Sequence, residues 1–442
     1  MIANLKSKLR AMKSGSHPGK PETARDTGTT VRSAGMESMS NLGRSGNPGR
    51  ECSPSPGICP DRGSLGGTVV SGPDGEFVRK RTIYGYEENY GRIPLFDLRN
   101  AVFTDSFWWT RLDRDLCPKD IVFLDTETTG LAGGTGTVAF LVGLGYVEED
   151  GLVVDQYLMR DFDEEVPMLQ AAADQLRRRS ILVTFNGKSF DWPLLEGRLI
   201  LSGIPPIHCE DAHLDLLPVA RRLWAARLPD CSLSTLEEKI LFHHRTEDIP
   251  GSMIPNIYLD FLKSRTPGKM RQVLQHNEWD IAAMAALLVH FATLYHDPEI
   301  NRDACELLGI GKELERAHRI RQAAVCYQKC IDLAPHSFVL NAKKRLAYLT
   351  KRYRGPQEAM ELWADLAGKE GSSLCFPLIE MAKFLEHREK DFPGALECTE
   401  KAILLVNRFS DSDIGPKRLQ TELLHRRQRL MKKMRRRMEQ WG

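Results

Sequence analysis

Four acids and one histidine carry the side chains best suited to chemistry: Asp125 and Glu127 in FLDTETTG, Asp191 in TFNGKSFDWPLL, and His276 and Asp280 in HNEWDIAAM. Each group adjoins an apolar run patterned as a strand or a helix. Carboxylates at the edge of an apolar core are costly unless a cation balances them, so several on one rigid scaffold point to a divalent-metal site. Side chains alternate along a strand, so Asp125 and Glu127 leave the end of IVFLDTE on the same side. A D-x-E pair alone fits turn formation or helix capping as well. Asp191 opens a helix just past the apolar strand ILVTFNG, where a helix N-terminus tolerates an anion; stabilising the first turn would explain it equally. His276 and Asp280 are four apart on a helix and share a face, either as base and ligand or as a helix-stabilising pair. Glu278 and Trp279 lie off that face.

These groups need elements that bring them together. The chain has 442 residues, 42% of them hydrophobic, and a net charge of +2, enough for two or three domains. Residues 1–76 are rich in Gly, Ser, Pro, Arg and Thr, and disorder is expected there. Cys52 and Cys59 in that tail read as incidental. Residues 77–118 form an extension packed on the following domain, or alternatively offer aromatic and basic contacts to a nucleic acid. From 119 to 297 the order is strand, strand, strand, helix, strand, helix, strand, helix. The first three runs, IVFLDTE, TVAFLVGLGYV and LVVDQYLMR, sit at hairpin spacing, and HLDLLPVARRLW leads from the last strand into a helix. Ser189 is the expected N-cap and Gly203 the stop of the helix that Asp191 opens. An α/β fold follows: a mixed five-stranded sheet flanked by helices.

Residues 300–410 turn all-helical. Ala323, Ala359 and Ala395 recur every 36 residues, with Tyr327, Trp363 and Thr399 four further on, which suits helix-pair repeats of the tetratricopeptide type. Such repeats imply a protein partner. Cys326 and Cys330 fall on one helical face as core residues. Residues 411–442 read as a basic amphipathic helix, capping the repeats with a solvated face or touching a phosphate backbone. The basic start has no apolar segment behind it, and the longest apolar run, 281–295, is too short to cross a bilayer. Ten cysteines without a C-x-x-C pair suit a reduced compartment. A cytoplasmic protein with no membrane partner is expected.

FLDTETTGL, TFNGKSFDWPLL and HNEWD together resemble the three exonuclease motifs of the DnaQ-like DEDD superfamily on a ribonuclease H-like fold. LDTETTGLAGGTGTVAFLVGLG, HLDLLPVARRLW, CSLSTLEEKIL and EDIPGSMIP resemble more closely the bacterial YprB-type ribonuclease H-like domain, over roughly residues 77–297. The resemblance implies a metal-dependent 3′-to-5′ exonuclease acting on DNA or RNA. Asp125, Glu127, Asp191 and Asp280 match its four metal-binding acids, holding two Mg²⁺ or Mn²⁺ ions about 3.5–4 Å apart. His276 matches the general base, with one departure: the family places His five residues before the last Asp, or Tyr four before it. Thr128, Asn186 and Lys188 are the candidates for substrate contacts. The other reading is a nuclease fold that has lost catalysis and serves as a nucleic-acid-binding scaffold.

Several motifs read as decoys. Gly134 to Ala139 match G-x-G-x-x-A, but the run that follows is strand-like, so hairpin glycines are expected rather than a dinucleotide loop. His208, Cys209, His213 and Cys231 fit no zinc spacing. Asp215 is expected to serve a strand-to-helix turn. Asp248, in a Gly/Pro-rich loop, borders the substrate or simply belongs to a rigid connector.

Overall fold

In a computed structural model of the chain, order begins earlier than expected. Thr68–Gly72 (β1) and Gly75–Gly85 (β2) form an antiparallel hairpin through Pro73 and Asp74, so that β1, the turn and the start of β2 fall inside the stretch to residue 76 read as disordered. The described residues are 65–100, 117–130, 136–207, 212–298, 301, 303–333, 338–368, 375–408 and 414–439. Besides the short pair Asn89–Tyr90 and Ile93–Pro94, which forms its own two-stranded sheet, five further strands join the hairpin: Ile121–Thr128 (β3), Ala139–Val147 (β4), Gly151–Leu158 (β5), Ile181–Thr184 (β6) and His213–Asp215 (β7). One seven-stranded sheet results, in the order β1-β2-β5-β4-β3-β6-β7. The expected five strands are its core, and the N-terminal hairpin adds two because β2 pairs antiparallel with β5 from Val78↔Leu158 to Gly85↔Gly151. β3 runs antiparallel to β4 but parallel to β6, and β6 parallel to β7, so the sheet is mixed as predicted.

The parity of β3 sorts its residues between two helical layers. Ile121 and Phe123 join the core formed with Ile281–Tyr295, whereas Val122 and Leu124 face the opposite core. On that opposite side lie Glu165–Leu176 (α1), Asp191–Leu201 (α2) and, further along, Ile254–Ser264 (α4). Leu216–Trp224 (α3) and the 27-residue helix Met270–His296 (α5) cover the first. The stretch from Ile281 to Phe291 in α5 is apolar on every side but for His290 and is buried throughout, as expected of a core helix. Two glycines of β4 let α5 approach. A Cβ at Gly143 would stand 2.3 Å from the Asn277 amide oxygen, and one at Gly145 would stand 2.3 Å from Ile281. Their absence is what sets HNEWD directly over the middle of the sheet.

Beyond β7 the chain is helical: Ala304–Arg316 (α6), Ile320–Asp332 (α7), Val339–Tyr353 (α8), Pro356–Ala367 (α9), Phe376–Phe384 (α10), Phe392–Arg408 (α11) and Ile414–Glu439 (α12), each packed on the next. Ala323, Ala359 and Ala395 are fully buried in α7, α9 and α11, as are Tyr327, Trp363 and Thr399. Cys326 and Cys330 are buried core residues of α7. The first helices of the three pairs are less alike. α6 lies against the sheet domain, with Glu306 accepting from Trp224 Nε1 at 2.8 Å, and α10 runs into a π-helical turn at Leu385–Glu389. The basic face of α12 is partly consumed internally: Arg426, Arg429 and Lys433 converge on the buried Glu386. Among the described residues no helix is long and apolar enough to cross a membrane.

Candidate active site

The acids meet where β3 ends. Antiparallel pairing sets Asp125 opposite Gly143, and the register shifts between Glu127 and Thr128, bending the strand just past the acid pair. On the other flank β6 is in step with β3 as far as Phe123↔Val183, so the turn after β6 lies beside Asp125. Asp191, the first residue of α2, accepts from Thr126 through both the hydroxyl (2.6 Å) and the backbone N–H (3.2 Å). That bond ties the second motif to the first. Ser189 does not cap α2: Phe190 holds that position without a side-chain bond, and the Ser189 N–H donates to the Asn186 carbonyl. Gly203, at φ 71°, ends the helix as expected.

α5 supplies the third group. Asn277 donates from Nδ2 to Asp125 Oδ2 at 2.8 Å, and its Oδ1 accepts from Gln156 Nε2 at 2.8 Å, which fixes the amide's orientation. His276 places Nδ1 2.8 Å from Asp248 and Nε2 3.5 Å from Asp280. One helical turn therefore puts both on the same face, despite the unusual spacing. An Nδ1–H donated to Asp248 leaves the Nε2 lone pair on the side of Asp280. Glu278 points elsewhere, to Lys80, Thr82 and Tyr84 of β2, as its off-face position predicts.

These acids act on one another electrostatically. Burial, then the charges of Asp280, Asp191 and Glu127, push the Asp125 carboxyl well above its usual range. Glu127 is pushed up by burial and then by Asp280, Asp191 and Asp248, with Arg245 opposing. Burial carries Asp191 up to about 6 despite the bonds from Thr126. Arg245 reaches Asp280, Glu237 (3.0 Å) and Asp248 (3.1 Å) and lies 5.6 Å from the Trp279 ring centre. Sequence reasoning missed Arg245, Glu237 and Asn277. Asn277 left one trace, the glycine at 143 that its side chain requires.

The remaining candidates fall into place around this cluster. Asn186 and Lys188 are exposed on the turn after β6, their N–H groups held by Asp215 at 2.8 and 3.2 Å. Asp215 also caps α3 through the Leu217 N–H, the turn role expected of it. Thr128 is buried and donates to the Gly130 carbonyl at 2.7 Å. The basic and aromatic residues of β2 are committed inward, Arg79 and Arg81 to Asp155. Gly136 precedes β4 rather than a helix, against a dinucleotide loop, while residues 131–135 with Gly134 lie outside the described residues, as do His208, Cys209, Cys52 and Cys59. His213 is buried against Thr184, and burial lowers it to about 4.

The donor set fits hard divalent cations, since every candidate ligand is a carboxylate oxygen and the repulsion among them calls for positive charge. Among the described residues no three His, Cys, Asp or Glu side chains close as a finished cage. Asp280 turns one oxygen to Arg245, and Asp191 one to Thr126.

Comparison with known proteins agrees with this frame. A family model of the RNase_H superfamily matches residues 122–292. The uncharacterized protein YprB of Bacillus subtilis (strain 168) is 33% identical over 288 residues, 64% of this chain and 69% of that protein. The family B DNA polymerase of Pyrobaculum calidifontis aligns with 53% of this chain and 29% of its own, at 14% identity and a TM-score of 0.29, too slight a likeness to bear on fold or function. With its acids at the β3 edge of a ribonuclease H-like sheet, the chain belongs to the YprB-type family of ribonuclease H-like proteins.

Proposed function

We propose that this protein is a two-metal-dependent 3′-to-5′ exonuclease of the DEDD type, hydrolysing phosphodiester bonds of DNA or RNA. The observation that carries the reading is the convergence at one strand end of half-buried Asp125 and buried Glu127 with buried Asp191, bonded to Thr126, and with α5, whose Asn277 bonds Asp125 and whose His276 adjoins Asp280. Asp125, Glu127, Asp191 and Asp280 would hold two Mg²⁺ or Mn²⁺ ions. When bound, these supply an activated water and neutralise charge developing on the phosphate. His276 takes the proton at Nε2, with Asp248 holding Nδ1 and hence the ring's orientation. Asn277 keeps the Asp125 carboxylate turned inward. Asn186 and Lys188 face solvent beside the site and contact the substrate backbone; Thr128, with its hydroxyl spent locally, shapes the strand end instead. The helical pairs α6 to α11, with their 36-residue recurrence, form a tetratricopeptide-like module for a protein partner.

The test incubates purified protein with end-labelled single- and double-stranded DNA and RNA in Mn²⁺, Mg²⁺ or EDTA. Laddering from the 3′ end that needs metal and vanishes in Asp125→Ala is the expected result. Cleavage undiminished by Asp125→Ala refutes the assignment, and binding without cleavage identifies a scaffold.

A further inference from the structure

Arg245 is the feature of the site that the exonuclease reading leaves unused. Its side chain is 7% exposed and lies among three acids, Glu237, Asp248 and Asp280. It contributes the positive charge that opposes the rise of Glu127. Its loop is held in an unusual backbone state: Phe242 and Glu247, on either side, sit at φ 57° and 60°, in the left-handed region that non-glycine residues rarely adopt. Glu237, which grips the guanidinium at Nε, is itself anchored by the Tyr90 hydroxyl at 2.6 Å. The arginine is thus delivered and braced from behind, with one nitrogen turned to Asp280.

We propose that Arg245 is a positioning residue acting as a tethered stand-in cation: it balances and orients Asp280 in the metal-free site and competes with an entering divalent ion for that carboxylate. The inference rests on the assignment of Asp280 as a metal ligand. A guanidinium touching a ligand oxygen repels a dication seeking the same oxygen, and the repulsion is strong where water is scarce. Release of Asp280 does not strand the arginine, because Glu237 and Asp248 still accept from it. Part of the cluster's negative charge is thereby met before metal arrives, while metal affinity is held below what four free carboxylates would give.

The test reads binding and stability rather than turnover. Mn²⁺ is titrated calorimetrically into wild type, Arg245→Gln, Arg245→Lys and Asp125→Asn at constant pH, and melting is followed in EDTA and in saturating Mn²⁺. Arg245→Gln is expected to bind Mn²⁺ at least tenfold more tightly than wild type. It should melt lower in EDTA and recover most of that deficit in Mn²⁺, with Arg245→Lys moving both readings back toward wild type. Should Arg245→Gln not fold, the paired Glu237→Gln/Arg245→Gln removes the carboxylate left facing the gap and answers the same question. Equal or weaker Mn²⁺ binding, or a melting deficit untouched by Mn²⁺, overturns the proposal and marks Arg245 as a structural brace. Absence of Mn²⁺ binding in wild type, or binding that Asp125→Asn leaves unchanged, overturns the metal assignment itself, a failure distinguishable because it appears without touching Arg245.

Discussion

Replacing a candidate metal ligand should make the metal-free protein more stable. Asp191 titrates near 6 in the fold, raised by burial from an ordinary aspartate value of 3.8. Below the ordinary value both folded and unfolded chains hold the proton, and nothing is lost. As pH rises toward 6 the unfolded chain releases its proton while the folded one retains it, so stability falls through that window and stays lower above it. A shift of about two pH units at ~1.4 kcal/mol each amounts to roughly 3 kcal/mol at neutral pH. Asp191→Asn abolishes this titration but keeps an Oδ1 acceptor for the Thr126 hydroxyl and N–H. Its gain should therefore be near zero at pH 4 and approach that figure at pH 7.5. With an unfolding entropy of ~2 cal/mol/K per residue over roughly 330 described residues, the gain corresponds to a rise in Tm of roughly 4–5 °C. Differential scanning calorimetry at the two pH values in EDTA measures it directly. Saturating Mn²⁺ should reverse the order, since wild type alone has its full ligand set. Equal melting of variant and wild type at pH 7.5 in EDTA would refute the claim that Asp191 is an unbalanced buried charge.

Two further changes probe the scaffold. Gly143→Ala places a methyl 2.3–2.9 Å from the Asn277 side chain; overpacking of this kind costs ~1–3 kcal/mol, read from the urea midpoint, and by dislodging Asn277 from Asp125 it should also weaken Mn²⁺ binding. At the other end of the chain, burial works against the Glu386 carboxylate, yet Arg429 and Lys433 hold it down to about 2. Because its folded value is lowered from 4.5, its contribution is present above pH 4.5 and lost as pH falls toward 2. Glu386→Gln leaves Arg426, Arg429 and Lys433 repelling one another, at a cost of about 2 kcal/mol once the partial exposure of the cations is allowed for; hydrogen exchange in α12 should accelerate, and an unchanged exchange rate would mean that α12 is held by its apolar face alone.

The parts of the site legible in the sequence were those whose neighbours are near in sequence. Asp125 and Glu127 share a strand, His276 and Asp280 share a helical turn, and Asp191 opens a helix after a strand; period rules are local and place each group on its element, whereas the cap expected at Ser189 does not form. Arg245 and Asn277 depend on approach of segments far apart in the chain, 35 residues to Asp280 in one case and 152 to Asp125 in the other, which no local rule reports. The hairpin at 68–85 was missed for a different reason. Its turn signal, Gly-Pro-Asp-Gly at 72–75, stands within a Gly/Ser-rich stretch, and composition outweighed it. A two-stranded hairpin is marginal by itself and becomes stable here by pairing with β5, a partner that lies some 70 residues on. The 36-residue recurrence is visible in α7, α9 and α11 because each buries its alanine and the residue four further on completely; α6 and α10 differ because one faces the sheet domain and the other ends in a π turn.

The rest of the molecule provides the control for the electrostatic argument. Asp155 is fully buried, and burial works against its charge as at Asp125, but Arg81, Arg79 and the Tyr146 hydroxyl outweigh it and hold the carboxyl below its usual range. Glu386 is answered in the same way by α12. Each of these acids meets its cations within the chain. At the end of β3 the same physics runs in the opposite direction, because three acids and Asp280 face a single guanidinium there among the described residues. Where Asp155 and Glu386 meet enough cations, the acids at the end of β3 are left short of positive charge, and under the proposed function that deficit is what draws a dication. It also orders the events of the proposed reaction: a phosphodiester approaching uncovered acids is repelled, so metal must enter before substrate can be held, and Asn186 and Lys188 add attraction only once the cluster behind them is neutral.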